Sequence, residues 1–261
     1  MSTGRDWRGL AAALIAAVSA GALAQSPDSP VEHRVGRVEV KRQDTARGTP
    51  GESTKTNLKL DTFHDGPVEL LRVEIPFPDE KDDFGGSPFN PKEGDVKVRA
   101  GFRAFHAGGA AFPSFVEITF PTANPDEGGT GKYQLGLGIR MLIPLHPPFS
   151  DPRAHKTLFE AQVQQVNSFA GDPARASINN TKIELTVSDV WHGQYTGKAK
   201  LKPTIDWEKG GNTGGVAEVE AGLNFAHDWR TWLMLGRRVW GPSDIAGTYL
   251  NRVELGLAYT F

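Results

Sequence analysis

The chain has 261 residues, a formal net charge of −2 at pH 7 and no cysteine. This length suits one large domain or two small ones, and the near-neutral balance gives no reason to expect a nucleic-acid partner. Without cysteine, neither a disulfide nor a thiolate metal site can form, and the negative mean hydropathy taken alone would suit a water-soluble protein.

The first 24 residues have the pattern of a secretory signal peptide. Arg5 and Arg8 precede the apolar run 10–18, and Ala22-Leu23-Ala24 resembles a cleavage site. A transmembrane anchor is the alternative, but the run is short beside the about 20 apolar residues that a membrane helix needs. We therefore predict a signal peptide over 1–24, a short segment over 25–34, and export into the periplasm of a Gram-negative bacterium.

After residue 34, apolar side chains alternate with polar or small ones along much of the chain. In 131–143 the odd positions from Tyr133 to Ile143 are apolar, whereas the even positions include Gln134, Gly136 and Arg140. Because successive side chains of a strand point to opposite faces, this period of two predicts β-strands. About twelve segments show it: 35–45, 56–64, 68–77, 94–107, 111–121, 131–144, 156–168, 180–191, 195–207, 215–226, 229–240 and 250–261. Many have about 10 residues, enough to cross a membrane when tilted.

The links between these segments alternate in length. Short links at 64–67, 107–110, 192–194 and 227–228 lie between longer ones at 47–54, 78–93, 122–130, 169–179, 208–214 and 241–247. Short turns on one side and long loops on the other are typical of an outer-membrane barrel. The exception is Pro144–Ala154, a long Pro-rich link where a short periplasmic turn is expected, which we interpret as a rigid turn or a packing segment.

The middle of the chain carries the pattern of a known family. Gly94-Asp95 opens a strand in "GDVKVRAGFRAF", Pro121-Thr122 ends the next strand, and a Gly-rich loop, 128–131, leads into another. With the upstream "TNLKLDTFHDGPVELLRVEIPF", this resembles outer-membrane proteins grouped with the meta-pathway phenol-degradation family. The resemblance implies a barrel that admits small, often aromatic or hydrophobic, compounds.

Two loops invite other interpretations. The Gly-rich loop 128–131 lacks the Gly-Lys-Ser/Thr ending and the following helix of a phosphate-binding loop, so we interpret it as an external loop. Asp79, Glu80, Asp82 and Asp83 could bind calcium, although a solvated loop is the simpler interpretation. No spacing of histidine or carboxylate suggests a transition-metal site, and we predict no cofactor.

The last predicted strand ends on an aromatic residue. Its odd positions are apolar: Val253, Leu255, Leu257, Tyr259 and Phe261. A membrane barrel closes by pairing its first and last strands, which would place the final aromatics at the periplasmic interface, where aromatic girdles lie. The stretch resembles the C-terminal signal of outer-membrane barrels, which implies recognition by the barrel assembly machinery.

A soluble secreted sandwich or lipocalin-like barrel is the alternative, because its strands alternate too. Alternation alone does not show which face is outward. A lysine facing lipid would cost about 2–4 kcal/mol at the membrane midplane, which supports an interior location for the charged faces. The candidate lumen-lining residues are Lys97, Arg99, Arg103, Glu117, Arg140, Glu160, Glu184, Lys198, Lys200, Lys202, Glu218, Glu220, Arg238, Arg252 and Glu254.

Two predicted hairpins bring opposite charges together. Folding 195–226 about Gly210 places Lys200 and Lys202 opposite Glu220 and Glu218. Folding 94–121 about Gly108 similarly places Arg99 opposite Glu117. Each cross-strand pair would stabilise the barrel by about 0.2–1 kcal/mol. The charges form either a polar pathway with a constriction or a network that fills a narrow barrel, and we favour a packed or narrowly open lumen. The mixed signs give no basis for predicting ion selectivity.

The tryptophan and serine side chains are candidates for a ligand site or a catalytic site. Trp191, Trp207, Trp229 and Trp240 lie near strand ends, as expected at membrane interfaces. Trp232 falls on an inward face and could contribute to an aromatic-substrate site. Ser114 and Ser188 lie on strands without a histidine partner in the predicted register, so a catalytic triad has little support.

The sequence therefore predicts an all-β protein, a single transmembrane antiparallel β-barrel over 35–261, monomeric and surrounded by outer-membrane lipid. The leading function is passive uptake of small compounds, hydrophobic or aromatic ones included. A structural or adhesive barrel with a filled lumen is the alternative, followed by a lipid-modifying enzyme of the outer membrane.

Overall fold

The computed structural model describes residues 35–46, 52–79, 92–123, 129–145, 156–226, 228–242 and 244–261. Within them the chain forms twelve β-strands. Their bounds are β1 Gly36–Thr45, β2 Ser53–Phe63, β3 Val68–Pro78, β4 Val96–Ala107, β5 Ala110–Phe120, β6 Lys132–Leu145, β7 Thr157–Gly171, β8 Asn179–Trp191, β9 Tyr195–Asp206, β10 Asn212–Phe225, β11 Trp229–Trp240 and β12 Asn251–Thr260.

The predicted all-β fold and the order of its strands are confirmed. The largest boundary differences are three residues, at the starts of β2 and β10 and at the end of β7. The predicted signal peptide, the segment 25–34, positions 80–83 and most of the Pro144–Ala154 link lie outside the described residues. In the part of the chain that the structure describes, no helix has the length and apolarity needed to cross a membrane.

The strands form one closed antiparallel barrel in which every strand pairs with its neighbours in sequence. β1 closes the barrel on β12, from Arg37 opposite Thr260 to Thr45 opposite Arg252. Phe261 extends this seam, because its N–H donates to the Gly36 carbonyl at 3.0 Å and its carbonyl accepts from Val35 N–H at 2.7 Å. Closure leaves no strand edge unpaired, which is what a sheet requires in an apolar solvent.

The outer surface of the barrel is apolar. Val253, Leu255, Leu257 and Tyr259 all face outward, and Leu255 is 61% exposed. Two groups of aromatic side chains in mutual contact border this surface. One, at the end of the barrel where β1 begins and β12 ends, contains Phe225, Trp229, Tyr259 and Phe261, and the other contains Phe120, Tyr133 and Phe169. An apolar band between two aromatic girdles is the outer wall of a membrane-spanning barrel.

β4 departs from the predicted alternation. Its pairing with β5 shifts between Phe102 and Phe105. An extra residue in one strand reverses the sidedness of the residues that follow. Phe105 therefore reaches the outer surface, where its ring stacks on Phe112 at 4.8 Å. Arg103, a predicted lumen-lining residue, lies within this shift, so the predicted alternation of β4 does not extend to it.

Candidate functional site

The inner faces of β9 and β10 carry facing rows of lysine and glutamate. Lys198 lies opposite Glu220, and Lys200 lies opposite Glu218. The predicted register of this hairpin was therefore wrong by two residues. The predicted ion pairs still form along the diagonals, since Lys202 Nζ lies 3.1 Å from Glu218 Oε1 and Lys200 Nζ lies 3.9 Å from Glu220 Oε2.

Glu218 is enclosed by groups that donate to it or attract it. Its carboxylate accepts a hydrogen bond from the Tyr249 hydroxyl at 2.5 Å and lies 3.8 Å from Arg252. The Arg252 guanidinium in turn lies 3.8 Å from the centre of the Tyr249 ring. Burial and the Glu218 carboxylate raise the pKa of Tyr249, so the phenol remains a protonated donor at neutral pH. These contacts hold the loop 241–250 against β10.

A second chain of hydrogen bonds crosses the interior at Trp232. Its Nε1 donates to Glu254 Oε1 at 3.1 Å, and Gln43 Nε2 donates to the other oxygen of the same carboxylate. Asn57 Nδ2 then donates to Gln43 Oε1 at 3.3 Å. Side chains from β11, β12, β1 and β2 are thereby connected across one level of the barrel.

The indole of Trp232 lies directly over Gly256. A Cβ added at Gly256 would overlap the indole ring, so this approach requires glycine. Trp232 also packs in a buried cluster with Met234 and Ala258. The lumen is therefore filled by side chains next to β11 and β12, and Trp232 is held by its own contacts within that filling.

On the opposite wall, the predicted pairing of Arg99 with Glu117 is confirmed. Arg99 Nε and Nη2 both donate to Glu117 Oε2, at 2.9 and 2.6 Å. Gln164 Nε2 donates to the other oxygen of Glu117 at 3.2 Å. The Phe115 ring lies between two guanidinium groups, 4.2 Å from that of Arg99 and 5.3 Å from that of Arg140.

Glycines of β6 permit these contacts between strands that are not neighbours. A Cβ at Gly136 would collide with Gln164, and a Cβ at Gly138 would overlap the Phe115 ring. Beyond them, Arg140 Nε donates to Gln162 at 3.0 Å and lies 3.6 Å from Glu160. The small inward residues of β6 thus make room for a charged network that spans β4 to β7.

Charged side chains of β1 to β3 belong to the same lining, although the sequence analysis did not propose them. Asp61 pairs with Arg37 at 2.9 Å and with Arg72 at 2.6 Å. Lys59 pairs with Glu39 at 2.6 Å. The alternation on these strands was a signal that could have identified them, because each lies one residue away from an outward-facing apolar or threonine side chain.

Several lining groups remain accessible to water inside the closed barrel. The side chains of Lys198, Lys202 and Glu184 are 27%, 32% and 29% exposed, whereas that of Glu218 is 2% exposed. These groups lie on the inner face, so the water that reaches them must occupy the lumen. The network therefore fills part of the interior and leaves a wet space beside it.

Three inward-facing lysines have no ion pair or hydrogen bond through their side chains among the described residues. They are Lys55 on β2, Lys97 on β4 and Lys182 on β8. Lys97 interacts electrostatically with both of the others. The structure therefore brings together one predicted lining residue and two lysines that the sequence analysis did not propose.

A cavity of about 510 Å³ opens at the end of the barrel where the short turns lie. Its lining includes the turn at 192–194, Ala226 and Asp228, together with the inward side chains of Arg37, Glu39, Arg230 and Trp232. Arg230 donates to Glu220 at 2.5 Å and so links this cavity to the lysine and glutamate rows. Charged groups thus continue from this end of the barrel into its middle.

At the other end, the loop 241–250 folds over the lumen. Ile245 and Tyr249 are almost fully buried. Lys209 Nζ donates to the Asp244 carboxylate at 2.6 Å and also to the Asp244 carbonyl. The hydrogen bond from Lys209 holds the pKa of Asp244 below its ordinary value. This exposed pair latches the loop to the turn between β9 and β10.

The remaining predicted residues occupy the rims. Arg103 lies at the end of the barrel with the short turns, 65% exposed, and pairs with Glu69 at 3.2 Å. Arg238 faces inward near the opposite end, where its backbone N–H donates to Leu250. Asp79, the described member of the acidic loop, pairs with Arg42 at 2.5 Å.

The motif positions of the predicted family resemblance converge at the end of the barrel that carries the long loops. Asp95 accepts hydrogen bonds from Ala123 N–H at 3.2 Å and from Thr130 N–H and Oγ1 at 2.8 and 2.6 Å. Thr122 Oγ1 donates to the Gly94 carbonyl at 2.8 Å. These residues clamp the loop between β5 and β6, which is a structural role.

Comparisons with solved structures identify the architecture. The chain is similar to the COG4313 outer membrane channel from Pseudomonas putida F1, with 14% identity, a TM-score of 0.62, and coverage of 91% of this chain and 99% of that one. It is also similar to the KdgM porin in complex with disordered oligogalacturonate, with 8% identity, a TM-score of 0.57, and coverage of 86% and 99%. A third is the NanC porin, with 9% identity, a TM-score of 0.56, and coverage of 87% and 100%.

No protein-family model and no curated protein matches the sequence. At these levels of identity the solved structures establish the fold, which is that of outer-membrane channels and porins.

Proposed function

We propose that this protein is an outer-membrane channel through which small polar solutes diffuse. The observation that carries the proposal is the wet, charged lumen. Lys198, Lys202 and Glu184 face inward yet remain about as accessible as partly exposed surface groups. A charged lining with room for water is what a hydrophilic pore needs, and side chains from several strands fix its width.

The lining favours polar solutes over apolar ones. An apolar or aromatic compound would have to pass Lys198, Lys200, Lys202 and their partners, and it would gain nothing from displacing the water around them. The predicted uptake of hydrophobic or aromatic compounds rests on the family resemblance. The inward aromatic residue Trp232 is engaged with Glu254 and Gly256, so its described contacts do not support that finer specificity.

The outer surface supports a location in the Gram-negative outer membrane. The apolar band and the two aromatic girdles match a bilayer, and β1 begins and β12 ends on the side that carries the short turns. In this proposal that end faces the periplasm and the loop 241–250 faces the exterior. Recognition of Val253, Leu255, Leu257, Tyr259 and Phe261 by the barrel assembly machinery, export by the N-terminal segment and a monomeric state belong to the same proposal.

A structural barrel with a filled lumen is the second candidate. The buried cluster around Trp232 and the loop 241–250 favour it, because both occupy interior space. For the lipid-modifying enzyme, the described contact of His64 is with Thr62, at 2.8 Å, and not with a serine. This alternative needs a serine within hydrogen-bond reach of a histidine at the lipid boundary, and the His64 contact does not supply one.

The test is single-channel recording of the refolded protein in a planar bilayer. We expect stable unitary steps. The variant Glu160→Gln should shift the reversal potential in a KCl gradient towards anions, because it removes a lumen carboxylate. The matched control Glu69→Gln, which removes a carboxylate from the exposed pair with Arg103, should shift it less. A correctly folded barrel that never conducts would rule out the channel and favour the filled barrel.

A further inference from the structure

The most unusual charges in the lumen are Lys55, Lys97 and Lys182. They come from β2, β4 and β8, well separated along the barrel wall. Yet the charge of Lys97 interacts with both of the others. Each lysine lies on the inward face within the first four residues of its strand, and all three strands begin at the end of the barrel with the long loops, so the side chains project into the same end of the lumen.

Nearby carboxylates do not neutralise this cluster. Carboxylates that interact with it include Glu74, near Lys55 and Lys97, and Glu117, near Lys97 and Lys182. Glu117 is already bound by two donors of Arg99 and by Gln164. Glu74 lies opposite Lys97 in the β3–β4 register and also interacts with Lys55, but it forms no ion pair within 4.0 Å among the described residues.

Other positive groups around the cluster increase the excess. Lys41 and Arg252 interact with Lys55, while Arg99 and Lys202 interact with Lys182. Like charges repel one another more strongly in a narrow, poorly solvated space than in bulk water. An anion that enters this space would relieve the repulsion, so the cluster should attract one.

We propose that Lys55, Lys97 and Lys182 form an anion-binding constriction in the lumen, and that the solutes of this channel are small organic acids. This rests on the proposed channel function and adds the solute class. Lysine offers compact charges with rotatable donors and no planar fork, so it holds carboxylates of varied shape loosely enough for passage. Three ammonium groups around one space suit a dicarboxylate.

The site lies in the half of the lumen that carries the long loops. Lys55 pairs in register with Pro78, near the end of β3, and Lys97 follows the first residue of β4. A solute that enters from that side would meet the lysines before the filled region at Trp232. Along this pathway the solute would therefore meet an attractive site first and a narrow region second.

The first experiment measures ion preference and solute binding on the same protein. In a KCl gradient the wild-type channel should prefer chloride, and succinate should block it. Lys97→Gln should weaken succinate block by about tenfold, because a charged hydrogen bond is lost. The triple variant with Lys55→Gln and Lys182→Gln added should lose the anion preference. Lys156→Gln, at an exposed lysine just before β7, should behave as wild type.

A second readout separates this proposal from the channel function. Equilibrium dialysis of labelled succinate against the refolded protein in detergent needs no conduction, and binding lost in the triple variant would support the site even in a barrel that never conducts. A conducting channel with equal block in wild type and triple variant would overturn the site while leaving the channel intact. Thermal unfolding of each variant shows that the barrel is folded.

Discussion

Two regions of the lumen use charge in different ways. On the wall formed by β9 to β12, Glu218 is held by two cations and a tyrosine, and its carboxylate is almost inaccessible. At the end with the long loops, Lys55, Lys97 and Lys182 project from β2, β4 and β8 without an ion pair among the described residues. Buried ion pairs stabilise one structure, because removal of one partner leaves the other charge buried without compensation. Charges without such a partner can bind a solute of opposite charge.

The largest expected effect comes from breaking the paired side. Glu218→Gln removes the charge that balances Lys202 and Arg252, so we expect a loss of about 3–5 kcal/mol in the free energy of unfolding. Urea unfolding of the barrel in lipid vesicles measures it.

Glu160→Gln is the matched control for that change. Glu160 is about a quarter exposed and has one cation at 3.6 Å, so its loss should cost under about 1 kcal/mol. Equal losses for the two variants would show that the paired side does not depend on Glu218.

A smaller effect is expected from the packing beside that network. Gly256→Ala places a methyl group inside the Trp232 ring, so the indole must move and its hydrogen bond to Glu254 must break or bend. We expect a loss of about 1–3 kcal/mol, with a change in tryptophan fluorescence. Gly66→Ala, where a Cβ meets nothing closer than 4.0 Å, is the control and should unfold like wild type.

The smallest effect concerns the latch over the lumen. Because Lys209 holds the pKa of Asp244 below its ordinary value, the latch is fully present above the ordinary carboxyl pKa of about 4. It is lost as the pH falls through the lowered value in the folded protein. Cleavage of loop 241–250 by pepsin should therefore rise only at the acid end of the enzyme's range.

Asp244→Asn should remove that dependence on pH and leave the loop equally susceptible throughout. A wild-type loop whose cleavage is independent of pH would show that the Lys209 contact does not restrain it.

Alternation was sufficient to predict the faces of the strands, but not all of their partners. The β9–β10 hairpin turns through residues 207–211 rather than symmetrically about Gly210, and its register differs from the prediction by two residues. A shift of two keeps every side chain on its predicted face, so Lys200 and Glu218 remained in the lumen while their opposite partners changed. The shift in β4 instead adds a single residue, which moves the following side chains to the other face, so the predicted inward row does not extend to Arg103.

The unpaired cluster shows a different limit. Lys182 stands two residues before Glu184, which the sequence analysis proposed, and Lys55 lies one residue before the predicted start of β2. The same alternation would have placed both lysines on the inward face. It could not predict that they converge with Lys97, because that convergence depends on barrel closure and on the directions of long side chains across the lumen. Only three-dimensional structure separates a paired lysine from an unpaired one.

The central claim is that the interior is wet while the outer face lies in lipid, and neighbouring residues of β8 test it directly. The chain has no cysteine, so one introduced cysteine is unique. Glu184 faces the lumen and is 29% exposed, and Leu185 faces outward and is 37% exposed. In a bilayer, a charged membrane-impermeant thiol reagent should modify Glu184→Cys quickly and reduce its conductance, and should leave Leu185→Cys unmodified. Rapid modification of Leu185→Cys with an inert Glu184→Cys would contradict the account.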